Sequence, residues 1–210
     1  MHRVSYKSYC DKNLFGKEDI WSMVSERGRT VFAGITCPVA ESSNEACERA
    51  VSVACRSFMR RPSKKEIAVI AIDEFINEAI YPLQLPRVRC MCSTAFMYVC
   101  KGQLRYAITG NSMIFHFVDG RLESVLEPES DKMYGESLKW ETKVCEPIDV
   151  TAGHHDFLLC CNKVKTCISE EAARKIYENN RDMKDKNNEM ELTEEEALHT
   201  AMLVSFGRKK

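Results

Sequence analysis

The residues of this sequence whose types could do chemistry are the acidic pair Glu18-Asp19, the run His154-His155-Asp156, His199, and eleven cysteines. Adjacent carboxylates can ligate a hard cation, but such an ion takes six or more oxygens and one pair does not complete its shell. His154-His155-Asp156 could hold a metal or serve as a general base, and His199 offers a nitrogen that would favour zinc or manganese over magnesium. The cysteines would need paired spacing to make a zinc site, as in a repeated C-x-x-C. Only Cys90-Met91-Cys92 and the adjacent Cys160-Cys161 come near it, and neither fits. An odd number of cysteines is expected to be reduced thiols that pack as small hydrophobes, not a disulfide framework.

Composition narrows the partners. The 210 residues carry 30 basic and 31 acidic side chains, a net charge of -1, which gives no electrostatic reason to expect nucleic acid or an anionic membrane. The longest apolar runs, Ile67 to Ile72 and Ala95 to Cys100, are six residues each, against about 20 for a spanning helix. Lys7, Asp11, Lys12, Lys17, Glu18 and Asp19 leave no signal-peptide core near the start. A single cytoplasmic domain over 1–210 is the expectation.

The elements that must position these residues follow from period and punctuation. Strands are predicted at Arg3–Tyr9, Ile20–Ser25 and Thr30–Thr36. Ser42 with Glu45, and Ser63 with Glu66, form capping boxes for two helices, the first carrying Cys47 and Cys55. The second stops before Pro82 and Pro86. The period then changes to short strands at Ser93–Cys100, Leu104–Ile108, Met113–Val118 and Arg121–Val125, read as an antiparallel meander with Asp119-Gly120 its strongest hairpin turn. A strand near Lys139–Cys145, a strand at Asp156–Cys161 after the turn Ala152-Gly153, and a helix from Ser169 to Tyr177 follow. The polar run Asn179–Glu191 reads as a solvated connection. Thr193 and Glu196 cap a short helix, and Ala201–Phe206 is a terminal strand. This order fits an α+β layered sandwich, not an alternating βαβ fold.

In that order, Ser93-Thr94-Ala95, the strand ending Ala107-Ile108-Thr109-Gly110-Asn111-Ser112, and Phe115-His116-Phe117-Val118-Asp119-Gly120-Arg121-Leu122 resemble the metal-dependent serine/threonine phosphatases of the PPM family (type 2C), whose members run G-S-T-A, G-D-S-R and D-G-x-L. Lys17-Glu18-Asp19 matches N-E-D, and Val31 to Cys37 matches V-F-A-V-A-D-G. Phe157-Leu158-Leu159-Cys160-Cys161-Asn162-Lys163 matches F-L-L-A-S-D-G, and Thr200 to Ser205 matches the last strand. The resemblance spans nearly the whole chain. It implies a four-layer α/β/β/α sandwich of two antiparallel sheets flanked by helices, and a pair of Mg²⁺ or Mn²⁺ ions activating water for attack on a phosphoryl group.

The departures fall on the metal ligands. Asp19 keeps the first acidic position, but the aspartate of D-G falls on Thr36 with Cys37 in the glycine slot. The next falls on Asn162 beside Lys163, the last aligns near Ala197 or His199, and the phosphate-binding arginine falls on Leu14. Two dications facing one carboxylate leave most of their charge uncompensated. Lys163 would add repulsion of about 4 kcal/mol per unit pair at about 4 Å in a surface-like dielectric. The resemblance therefore implies a pseudophosphatase without a cofactor, a binding or regulatory module for a protein partner such as a phosphoprotein. Two rivals stand beside it: a divergent phosphatase using Asp19, Asn162 and His199 around one Mg²⁺ or Mn²⁺, and a thiol-based redox or zinc protein using Cys37, Cys160 and Cys161. His154-His155-Asp156 is expected to be a turn remote from the metals, and Asn111-Ser112 a structural turn.

Overall fold

Strands covered on both faces lose the polar alternation of half-exposed ones and read as continuous apolar runs. Four strands here do so: Thr30–Pro38, Cys92–Cys100, Ser112–Val118 and His155–Cys161 are buried along almost their whole lengths. They lie inside two five-stranded sheets. The computed structural model describes residues 2–10, 22–27, 30–38, 47, 51–52, 55, 92–128, 147–161, 168–182, 189–192 and 200–208. Its strands are β1 (His2–Cys10), β2 (Ser22–Arg27), β3 (Thr30–Pro38), β4 (Cys92–Cys100), β5 (Gln103–Thr109), β6 (Ser112–Val118), β7 (Arg121–Leu126), β8 (Ile148–Asp149), β9 (His155–Cys161) and β10 (Thr200–Arg208), with one helix, α1 (Glu170–Asn180), between β9 and β10. One sheet has the order β1-β10-β9-β6-β7 and the other β2-β3-β4-β5-β8. All neighbouring strands within them pair antiparallel.

The sheets stack face to face. Ala33, Ile35, Met97 and Leu104 of one meet Ile114, Phe157, Leu159 and Val204 of the other in a common core. The alternate residues of β6, β9 and β10 point outward, where Phe115, Leu158 and Leu203 pack against Ala173, Ile176 and Tyr177 of α1. The outer face of the second sheet carries Phe32 and Phe96, whose ring centroids are 5.8 Å apart. Phe96 crosses the backbone at Gly34, where an added Cβ would overlap its ring. Helical residues Cys47, Val51 and Cys55, spaced on one helix face, are buried. Thr36 donates to the Cys47 carbonyl at 3.4 Å, which places this helix on the outer face of the β2-β3-β4-β5-β8 sheet. The expected four-layer sandwich is thus the fold.

Turn chemistry explains the hairpins. Asp119 (φ 48°) and Gly120 (φ 83°) both adopt the left-handed region, the type I′ geometry that follows strand twist, and Lys101-Gly102 repeats it between β4 and β5. The meander expected from β4 to β7 is corrected at Gly110. There the chain leaves one sheet and enters the other, so β5 and β6 are not paired. Sequence spacing cannot separate a hairpin from a crossing of this kind, because both need only a two-residue link. Gly110 at φ 61° makes the corner, and the Asn111 N–H donates to Ser93 Oγ at 3.1 Å.

Helix α1 begins as expected, with Ser169 Oγ accepting from the Ala172 N–H at 3.1 Å and Glu170 and Glu171 in its first turn. It runs three residues beyond the expected Tyr177, because Asn180 is buried and holds a partner. Its Nδ2 donates to the Ile176 and Glu191 carbonyls, and its Oδ1 accepts from the Glu191 N–H. The solvated connection expected over Asn179–Glu191 keeps Glu189 and Glu191 exposed but is tied to the fold at Met190 and Glu191. Met190 is buried and donates its N–H to the Ser8 carbonyl beside β1. The expected strand at Lys139–Cys145, the helix from Ser63 and the helix after Thr193 lie outside the described residues.

Candidate functional site

Three strand ends converge at one edge of the sandwich. Thr200, which opens β10, pairs with Cys161, which closes β9, and Ser112 pairs with Cys161 from the other side. Thr200 Oγ1 reaches across to the Thr36 carbonyl at 3.3 Å, tying β10 to β3 of the opposite sheet. Of the metal-site positions that the sequence singled out, this corner holds Thr36 and Cys37. Thr36 and Cys37 end β3. Asn162 directly follows Cys161 in the chain, and His199 directly precedes Thr200. Asp19, Asn162 and His199, with Leu14, Lys163 and Ala197, lie outside the described residues.

The chemistry of the described corner is neutral. Cys37, Ser93, Ser112, Cys161 and Thr200 are all buried. The Cys161 and Ser112 side chains are hydrogen-bonded at 2.8 Å, and the Cys161 thiol also approaches the carbonyls of Ile35 and Ser93 at 3.9 and 3.8 Å. On the outer side, Thr94 and Thr109 share a hydrogen bond of 2.9 Å. Thr36 is fully buried, and its hydroxyl turns outward to the Cys47 carbonyl, away from the space between the sheets. Burial pushes the Cys161 thiol well above its usual range, against the opposing pull of the Ser112 hydrogen bond. Burial likewise raises Cys47, reinforced by the neighbouring Cys92 thiol. These thiols are held protonated.

A pair of hard dications requires carboxylate oxygens, and the described part of the corner supplies hydroxyls and protonated thiols in their place. Among the described residues no group of three or more His, Cys, Asp and Glu side chains is placed to hold a metal. The described residues of this corner therefore offer no carboxylate to a two-metal centre. The zinc reading fares no better on geometry. Cys160 and Cys161 project to opposite faces of β9, Cys160 toward α1 and Cys161 toward the inter-sheet core, so one ion cannot take both. Of the cysteines with described side chains, six are buried and Cys100 is partly exposed.

The other end of the same strands carries a polar cluster that the sequence reading had taken for a turn. Only His154 is in the turn. His155 and Asp156 belong to β9 and are buried. Asp156 accepts from Tyr177 Oη at 2.7 Å, from Ser205 Oγ and from half-exposed His154 Nε2 at 3.0 Å. Tyr177 also stacks on Phe117 with centroids 3.9 Å apart. Burial and then Asp156 push its phenol well above the usual range. The serine hydroxyl is spent on the aspartate and not on a histidine, so this is no nucleophilic triad. The strand expected from Asp156 thus starts one residue earlier, at His155.

No protein-family model matches the sequence, and no curated protein matches it. Solved structures do. The PPM serine/threonine phosphatase MsPP of Mycobacterium smegmatis aligns with TM-score 0.62 at 11% identity, covering 100% of this chain and 98% of that one. The catalytic domain of the serine/threonine phosphatase PstP, solved with two manganese ions, gives 0.59 at 13% identity over 98% of each chain. RsbX, solved with magnesium, gives 0.61 at 12% identity over 99% of this chain and 100% of that one. With the strand order, the two stacked sheets and the flanking helices in hand, the chain has the fold of the PPM phosphatases.

Proposed function

We propose that this chain is a PPM-fold pseudophosphatase, a non-catalytic binding or regulatory module whose partner is a protein. The carrying observation is Thr36. The position that resembles the D-G aspartate is a fully buried threonine committed to the Cys47 carbonyl, in a corner of neutral hydroxyls and protonated thiols. A sandwich so closed keeps a stable display surface without the charge needed to bind phosphate and metal together. A phosphoprotein is the partner class we propose, by the likeness of the fold to serine/threonine phosphatases.

The competing reading, a divergent metal-dependent phosphatase, draws on the metals bound by PstP and RsbX and on Asp19 with Asn162 and His199. Calorimetric titration with Mn²⁺ and Mg²⁺, run beside an aryl phosphate assay, separates the two. The proposal expects neither binding nor turnover at millimolar metal. Metal-dependent turnover that Asp19→Ala abolishes would overturn it.

A further inference from the structure

At the end of β9 remote from the neutral corner, roughly 20 Å along the strand, two of the five histidines in the chain are buried against one another. His116 lies on the inner face of β6 and His155 on the inner face of β9, diagonal neighbours across the ladder. His116 Nε2 and His155 Nδ1 are 2.9 Å apart, with the rings nearly parallel at 13°. His116 also lies flat on Phe157, with centroids 4.4 Å apart.

The partners dictate where each proton sits. His155 Nε2 is 2.5 Å from the Ala152 carbonyl, which can only accept, so His155 carries its proton on Nε2. Its Nδ1 must then accept, so His116 donates from Nε2. His116 Nδ1 is left to accept from Ser124 Oγ at 3.5 Å. The ladder between β6 and β7 shifts register at this point: His116 faces Ser124 and Phe117 faces Leu122, leaving Glu123 as the extra residue of a bulge. The result is a directed chain, Ser124 to His116 to His155 to Ala152, which uses every ring nitrogen of two neutral imidazoles.

We propose that this chain is an acid-opened latch: with both imidazoles neutral it pins the exposed 151–154 loop and the start of β9 to β6, and on protonation it lets them go. A first proton has one vacancy, His116 Nδ1, where Ser124 would have to turn from donor to acceptor. A second, on His155 Nδ1, would set N–H against N–H across 2.9 Å, and the pair must part. Burial, and after it the neighbouring His155, hold His116 down to about 4 from 6.5, with Asp156 pulling the other way. Among the described residues no carboxylate is hydrogen-bonded to the His116 ring. Asp156 faces the opposite side of β9 and is occupied by Tyr177 of α1, Ser205 of β10 and His154. From β8, exposed Asp149 is held low by hydrogen bonds from the Thr151 side chain and backbone and, to a smaller extent, by His155. At the β6–β7 turn, Asp119 accepts from the His154 N–H at 3.0 Å and donates its own N–H to the His154 carbonyl at 2.9 Å. Glu123 and Arg121 of β7 are exposed, and Arg181 beyond α1 lies toward Gly120.

The test combines ring ¹⁵N NMR with amide hydrogen exchange, corrected for the intrinsic pH dependence of exchange. Both rings are expected as Nε2–H tautomers at pH 7.5, with His116 still neutral at pH 5.5. An opened state in which His116 titrates at 6.5, against about 4 in the closed one, raises the opening constant of the 155–157 amides about 30-fold between pH 7.5 and pH 5. His116→Gln keeps a donor toward His155 but cannot titrate, and its opening constant should change less than about threefold over the same range. A His116→Gln profile as steep as that of the parent overturns the latch. So does an Nδ1–H tautomer at His116, or protonation of that ring near 6.5, and these are read on the unmutated protein whether or not the variant folds.

Discussion

Restoring a carboxylate where the resemblance expects one should harm this protein. In Thr36→Asp the new side chain sits at a position with no solvent exposure, and its oxygen faces the Cys47 carbonyl that now accepts from the threonine hydroxyl. The lost hydrogen bond costs about 1 kcal/mol or less at this length. The unpaired buried carboxylate costs about 3–5 kcal/mol, the range for a buried charge left without its partner. The sum, about 4 kcal/mol, is a large part of the 5–15 kcal/mol that holds a typical domain together. At about 2–4 °C per kcal/mol for a chain of this size, the melting temperature at pH 7 falls by about 8 to 16 °C. The sign of the pH dependence is set by desolvation, which raises the folded-state pKa of the new carboxyl above its unfolded value of about 3.9. The penalty is absent below that value, grows as pH rises through it, and is complete above the folded pKa. Thermal unfolding followed by circular dichroism, with and without millimolar Mn²⁺, reads all of this, and Thr36→Ser is the control that keeps the hydroxyl. A variant as stable as the parent, or one that Mn²⁺ restores, would refute the claim that this corner is a neutral packed seat.

Gly34→Ala sets a Cβ into the Phe96 ring and should cost about 1–3 kcal/mol in urea unfolding, with part of the loss recovered when Phe96 is shortened to Leu. Tyr177→Phe removes the hydroxyl that donates to buried Asp156 while keeping the ring on Phe117, a loss of about 2 kcal/mol by the same assay. Asn180→Ala strands the Glu191 N–H and two carbonyls. About 2–3 kcal/mol is lost, and limited proteolysis between residues 181 and 192 should become faster than in the parent.

Much of the fold was legible because it is written in local rules. The I′ turn at Asp119-Gly120, the cap at Ser169 and the β-rich runs of β4, β6, β9 and β10 need only their own residues and the two or three beside them. Residues whose placement depends on a distant partner were not legible. Composition made 189–192 look solvated, yet Asn180 and Ser8 draw it onto the fold, and no sequence window contains both. His155, expected in the turn before the strand, belongs to the strand itself. The burial of Asp156 is made tolerable by Tyr177 and Ser205, which lie 21 and 49 residues away.

By itself the sequence determined most element types, the layered sandwich they imply, and that neutral side chains stand at Thr36 and Asn162, because residue identity and spacing are properties of the chain. Only the tertiary structure decided that β5 and β6 part into different sheets, that Thr36 turns away from the inter-sheet corner, and that His116 and His155 share a hydrogen bond. Each of these depends on backbone ladders that join residues far apart in the chain, and ladder registry sets which side chains meet and which way their donors point. Registry is a property of the assembled sheets, settled when both faces of β4 and β9 are covered together.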